Sequence, residues 1–194
     1  MLIYENENNE TCIYIHIPKN SGKYIRKNIE NNQKNKIIKY YWGLDNKNYI
    51  DLAHIPYLLK DNYYTTNDKT IYYAHSRNPY DRIISAYFYV NHMKLGNNNS
   101  ISDFKLFIKN ILKTLNFDNK YSLDIIHYYP QYMFICDKNE NIDNVKITKL
   151  QDVDGLNIRT YDLSKYYDAT LLQIVNKVYK KDFVILNYEI KTKI

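Results

Sequence analysis

Residues 11–24 read Thr-Cys-Ile-Tyr-Ile-His-Ile-Pro-Lys-Asn-Ser-Gly-Lys-Tyr, and this stretch decides the fold. Ile13, Ile15 and Ile17 alternate with Tyr14 and His16, so both sides of the segment carry large side chains. A short, β-branched run of this kind, stopped by Pro18, reads as a buried strand over Thr11–Ile17. Pro18-Lys19-Asn20-Ser21-Gly22 then reads as a tight turn, and Lys23–Asn31 as a helix with Tyr24, Ile25 and Ile29 near one face.

Working outward, the same alternation of elements repeats. Lys36–Trp42, Lys69–His75 and Val145–Leu150 are further strands, and His54–Lys60 is a short helix or turn. Asn78 fits an N-cap, Pro79 the first helical position, and Asp81 the positive end of the helix dipole. Ile83, Ile84, Tyr87 and Phe88 follow at helical spacing. A helix is predicted from about Ser102 to Leu115. A mostly helical stretch over 122–136 is broken at Pro130. A last helix is set by Tyr167, Leu171, Ile174, Val175 and Val178 and runs to about Tyr179. Strands separated by helices predict an α/β fold, a central parallel sheet flanked by helices in three layers. The Asn-rich pieces 5–10, 96–100 and 137–144 read as surface loops, and residues 1–10 as a flexible N-terminal segment of a single domain spanning 1–194.

Composition narrows the function classes. The chain has 194 residues, with 45% hydrophobic and 25% charged, which suits one folded domain. Its 23 tyrosines fit the coding bias of an AT-rich genome, with an aromatic binding surface as the rival reading. Net charge is +6, suited to an anionic ligand, but the lysines are dispersed and form no basic tail. Cys12 and Cys136 lie in apolar runs, which predicts buried free thiols and neither a metal motif nor a disulfide framework. The start MLIYENENNE lacks the form of a signal peptide, and no window is apolar enough for a membrane span. The expectation is a soluble, cytoplasmic protein of a bacterial cell or a virus-infected host cell, with no nucleic-acid partner and no membrane partner.

In a parallel sheet, ligands bind where strands end and helices begin. The 18–23 turn can hold an anion on outward N–H groups and a helix N-terminus, bracketed by Lys19 and Lys23. The metal-dependent pattern G-x-x-x-x-G-K-[ST] is broken, since Ile17 and Tyr24 stand where it needs Gly and Ser or Thr. A second anion site is predicted at His75-Ser76-Arg77-Asn78-Pro79-Tyr80-Asp81-Arg82-Ile83-Ile84-Ser85-Ala86-Tyr87. Arg77 leaves a strand at a helix start, and Ser85 follows about two helical turns on. The bland alternatives are an Arg77–Asp81 ion pair and a Ser85 that is merely small.

Together these two segments resemble the PAPS-dependent sulfotransferases, which move a sulfuryl group from 3′-phosphoadenosine-5′-phosphosulfate (PAPS) to a hydroxyl. Ile15–Tyr24 stands where that family has P-K-x-G-[GS]-[TS]-[ST] for the 5′-phosphosulfate. Arg77–Tyr87 matches every fixed position of R-[ND]-P-x-x-R-x-x-S-x-[YF], which holds the 3′-phosphate. The branch it is most similar to is the carbohydrate (membrane-type) sulfotransferases. His127-Tyr128-Tyr129-Pro130-Gln131 resembles that branch's H-x-x-P-Q segment, and Tyr179–Tyr188 its closing Y-x-x-D-F region. Departures are Lys23 and Tyr24 in place of small hydroxyl residues, and the absence of a Glu after the late strand.

The resemblance implies a P-loop-NTPase-like fold, PAPS as donor, no required metal, and a hydroxyl acceptor on a carbohydrate. Donor-binding residues would be Lys19, Asn20, Ser21, Gly22, Lys23, Tyr24, Arg77 and Ser85. Lys19 would stabilise the charge on the leaving phosphate oxygen. His54, in Asp51–Leu59 between the two motifs, is the first candidate for general base and His127 the second. Two other readings stay open: a catalytically inactive PAPS- or PAP-binding protein, and a P-loop nucleotide kinase.

Overall fold

The strand expected over Thr11–Ile17 is seen as Thr11–Ile15, three residues short of Pro18, and the rest of the sheet is arranged around it. The computed structural model describes residues 1–67, 69–96, 99–118 and 120–194, the side chains of Lys94 and Leu95 excepted. Its elements in chain order are β1 (Leu2–Glu5), β2 (Thr11–Ile15), α1 (Gly22–Asn31), β3 (Lys36–Tyr40), β4 (Leu44–Asp45), β5 (Ile50–Asp51), β6 (Ile71–Ser76), α2 (Pro79–Leu95), α3 (Ile101–Asn110), α4 (Tyr132–Ile135), β7 (Val145–Lys149), α5 (Leu163–Tyr166), α6 (Ala169–Val178) and α7 (Lys180–Ile185). Short 3₁₀ turns occupy Leu52–His54, Tyr57–Asn62 and Ile126–Tyr128.

The main sheet has the order β3-β1-β2-β6-β7. β2, β6 and β7 run parallel, with Ile15 opposite Ala74 and Ala74 opposite Ile147. The sheet is mixed rather than parallel throughout, because β1 runs antiparallel to both β2 and β3. That strand also corrects the expectation of a flexible segment at 1–10. Leu2 and Ile3 are buried, and the polar residues are confined to a turn in which the Asn6 side chain accepts from the N–H of Asn8 and of Glu10. Averaging over ten residues hid a short strand followed by a tight turn.

The two faces of the sheet are covered unequally. Leu2 and Tyr14 pack under Ile25 and Ile29 of α1. Ile13, Ile15, Tyr72 and Ala74 face the larger core, with Ile83 and Ile84 of α2, Phe104 and Ile108 of α3, and Leu172 and Val175 of α6. The helix starts follow their caps. The Asn78 side chain accepts from Tyr80 N–H with Pro79 at the first position. Ser100 and Asp103 form a reciprocal capping box, and Asp168 caps α6.

The stretch 122–136 forms separate single turns rather than a helix. Beyond Pro130, the N–H groups of Gln131 and Tyr132 are both donated to the buried Asp182 carboxylate, at 2.8 and 2.9 Å. That carboxylate comes from α7, a helix the periodicity did not single out. The loop reading at 96–100 is described at Gly96, which ends α2 at φ 64°, while Asn97 and Asn98 lie outside the described residues. No helix among the described residues is long and apolar enough to cross a membrane.

Candidate functional site

The parallel pairing of β2 with β6 sets Ile15 opposite Ala74, so the chain leaving each strand carries the Pro18 turn and the Arg77 segment out at the same end of the sheet. Three buried polar side chains then fix the turn. Asn20 donates from Nδ2 to His75 O at 2.6 Å and to Gln131 Oε1 at 2.7 Å. Gln131 also accepts from Arg77 N–H and donates to Arg77 O. Arg82, 1% exposed, donates from Nε to Pro18 O at 3.0 Å and from Nη2 to His127 O. A buried polar atom without a partner costs about 1–3 kcal/mol, so these bonds hold the two segments in one arrangement.

Within the turn, Lys19 and Ser21 both adopt positive φ, 68° and 55°. Such backbone is sparsely populated by residues with a Cβ, and successive turns of this kind direct N–H groups into a concavity. In the first turn of α1 the Tyr24 N–H is donated to Ser21 O at 2.9 Å, which leaves those of Gly22 and Lys23 as the ones a helix start does not pair internally. No acidic residue stands in that first turn.

Gly22 has a steric reason as well. A Cβ there would lie 1.8 Å from Nε2 of His16, so the imidazole fills the space a side chain would take.

Lys19, Arg77 and Ser85 line one cavity of about 510 Å³, together with Arg159, Tyr89, Tyr161 and further rings of Phe88 and Tyr166. Among the described residues no carboxylate lines it. Burial, with Arg77 and Arg82 beside it, lowers the Lys19 ammonium from its usual range to about 8. Arg77 does not pair with Asp81. Its Nη1 donates to Lys19 O at 3.2 Å and its Nη2 to Arg159 O, while Asp81 accepts from Tyr161 N–H at 3.0 Å. The Arg77 guanidinium therefore braces two chain segments at the cavity wall while its charge has no carboxylate partner within 4 Å among the described residues.

The other predicted residues lie elsewhere. Asn20 is spent on the fold, and Lys23 is exposed. Tyr24 turns to the α1 side of the sheet, where its hydroxyl donates to Gly155 O at 3.2 Å. His54 does not line the cavity. It is 7% exposed, with Nδ1 donating to His16 O at 2.8 Å. A carbonyl only accepts, so the Nδ1 carries the proton and Nε2 the lone pair, 3.8 Å from Asp51 Oδ2. Burial is the main cause that brings His54 down to about 3. His54 packs against His16 at 4.3 Å between ring centroids and against His127 at 5.8 Å; His127 in turn lies 4.9 Å from the Tyr89 ring.

Sequence reading missed Arg159, Tyr161, Tyr89 and the bracing roles of Gln131 and Asp182. Arg159 and Tyr161 sit in an irregular segment with no periodicity, so no local signal marks them. Tyr89 lies just past the matched Arg77–Tyr87 run.

The arrangement can bind a ligand with more than one negative charge and a flat ring, with a neutral imidazole close behind the wall. Comparison with family models, with curated proteins and with solved structures finds no match to the chain.

Proposed function

We propose that the chain is a PAPS-dependent sulfotransferase of P-loop-like architecture, with a hydroxyl on a carbohydrate as acceptor. The single observation that carries this reading is the convergence of Lys19, Arg77 and Ser85 on one cavity that no carboxylate among the described residues lines. A donor with a 5′-phosphosulfate and a 3′-phosphate needs two anion sites on neighbouring strands, and the turn after β2 and the start of α2 supply them. Arg159 adds a third full charge, and the cavity's aromatic side chains offer faces for a purine.

In the proposed reaction the bond between sulfur and the bridging oxygen breaks as the acceptor oxygen bonds to sulfur. Negative charge accumulates on the departing phosphate, where the Lys19 ammonium and the α1 N-terminus stabilise it. The acceptor's proton passes to solvent water, because the His54 imidazole, the first candidate for general base, stands behind Tyr89 and His127 and not in the cavity. No step needs a metal ion.

A second reading is favoured by one observation. Tyr89 and His127 stand in contact between the cavity wall and His54, as they would in a protein that binds the nucleotide without transferring the group. The kinase reading is weakened by Tyr24, whose hydroxyl points to Gly155 rather than into the cavity.

Titration calorimetry with 3′-phosphoadenosine-5′-phosphate (PAP) and with ATP–Mg²⁺ separates the readings, followed by transfer of labelled sulfate from PAPS to a glycan panel. Binding of PAP but not of ATP–Mg²⁺, with label on glycan, is expected. PAP binding without label on any acceptor selects the inactive reading, and no PAP binding removes both.

A further inference from the structure

The Nζ of Lys19 lies 3.6 Å from the centre of the Tyr89 ring, close enough for a full cation–π contact. The other charged groups facing Lys19 are basic: Arg77 at the start of α2, Arg82 further along it, and Arg159 across the cavity. No carboxylate among the described residues lies within ion-pair distance of Lys19. The negative face of the Tyr89 ring is thus the attraction that holds this ammonium at the cavity wall. The same ring packs on His127, which packs on His54. Tyr89 is 39% exposed, so its ring has room to be reached from the cavity.

We infer that Tyr89 is a positioning residue that docks the Lys19 ammonium on its ring in the ligand-free protein and hands it to the anion when the nucleotide enters, a role that rests on the proposed donor site. A lysine held near its working place loses less side-chain entropy on binding than a free one. Burial and the like charges of Arg77 and Arg82 lower the Lys19 ammonium to about 8; a cation over an aromatic face favours the charged form.

The experiment uses protein whose lysines carry ¹³C-dimethyl groups, which keep the charge. Methyls held over an aromatic face are shifted upfield by its ring current. Lys39, Lys60, Lys149 and Lys181 also lie over tyrosine rings, so the Lys19 resonance is the upfield one that Lys19→Arg removes; it is expected to be absent in Tyr89→Leu and kept in Tyr89→Phe. PAP should move it to the ordinary position. Survival of the Lys19 resonance in Tyr89→Leu, or no upfield resonance that Lys19→Arg removes, overturns the docking. PAP bound by calorimetry with the resonance unmoved overturns the hand-over. No PAP binding at all overturns the donor reading instead, while the ligand-free spectra still decide whether Tyr89 docks Lys19. Tyr89→Phe guards against a folding defect, because it keeps the ring.

Discussion

The guanidinium of Arg77 donates from Nη1 to the backbone carbonyl of Lys19 at 3.2 Å, so the residue that would clamp one phosphate also braces the turn that would hold the other. The two anion sites are one mechanical unit. Anything that shifts one shifts the other, and substitutions there must be judged on stability and binding separately.

Arg77→Ala and Arg82→Ala should divide along that line. Arg77 lines the cavity, whereas Arg82 is buried and bonded to Pro18 O and His127 O. Arg77→Ala is expected to weaken PAP at least about tenfold, the loss of one charge-assisted contact. Arg82→Ala is expected to cost about 3 kcal/mol of stability, from carbonyls left without donors. Calorimetry beside chemical denaturation measures both, and equal effects on PAP affinity would contradict the assignment.

Gly22→Ala should destabilise the protein by roughly 1–3 kcal/mol, because the new methyl meets the His16 ring. Adding His16→Ala should recover part of that loss. A double-mutant cycle in denaturant gives the coupling, and strict additivity would mean the clash is not the cause.

Gln131→Ala removes the acceptor for Asn20 Nδ2 and Arg77 N–H and the donor to Arg77 O. A loss of about 2–4 kcal/mol is expected, because the buried N–H and C=O of Arg77 lose their partner while Asn20 Nδ2 keeps only His75 O. Gln131→Glu keeps the acceptor oxygen but places a second oxygen against Arg77 O, so it should not rescue. Thermal melts of the two variants check this.

Acid should unfold the chain through its buried histidines. Folding takes His54 down to about 3 and His75 to about 4, both chiefly by burial, and His16 downward for the same reason. Below the usual histidine range near 6.5 the unfolded chain binds protons that the folded one refuses, so stability is full above that range and falls as pH drops through it. Each such group contributes a slope of about 1.4 kcal/mol per pH unit until its folded value is reached. Denaturation midpoints between pH 7.5 and 4.5 should show a steep decline, made shallower by His75→Asn.

Alkali should act on binding instead. The Lys19 charge is lost as pH rises through about 8 in the ligand-free protein. PAP affinity is therefore expected to weaken between pH 7 and 9.5, and Lys19→Arg should flatten the profile because guanidinium stays charged.

The local elements were legible because their causes are local. Alternating isoleucines and the Pro18 stop marked β2, and Asn78 with Pro79 marked the start of α2. The candidate cavity was legible in part, since Lys19 and Arg77 stand beside a strand end or helix start and Ser85 lies about two helical turns into α2. His54 was named from its place in the chain, and the fold puts it behind Tyr89 and His127 instead of on the cavity wall.

By itself the sequence determined the cores of β2, β3, β6 and β7 and of helices α1, α2, α3 and α6, because side-chain period, proline and capping act over a few residues. Only the tertiary structure decided that β1 enters the sheet against the grain, that Asp182 caps Gln131 from 51 residues away, and that Lys19 rests on Tyr89. Those choices come from burial. A polar atom removed from water takes whichever partner packing brings within about 3 Å, and no local pattern records which one that is.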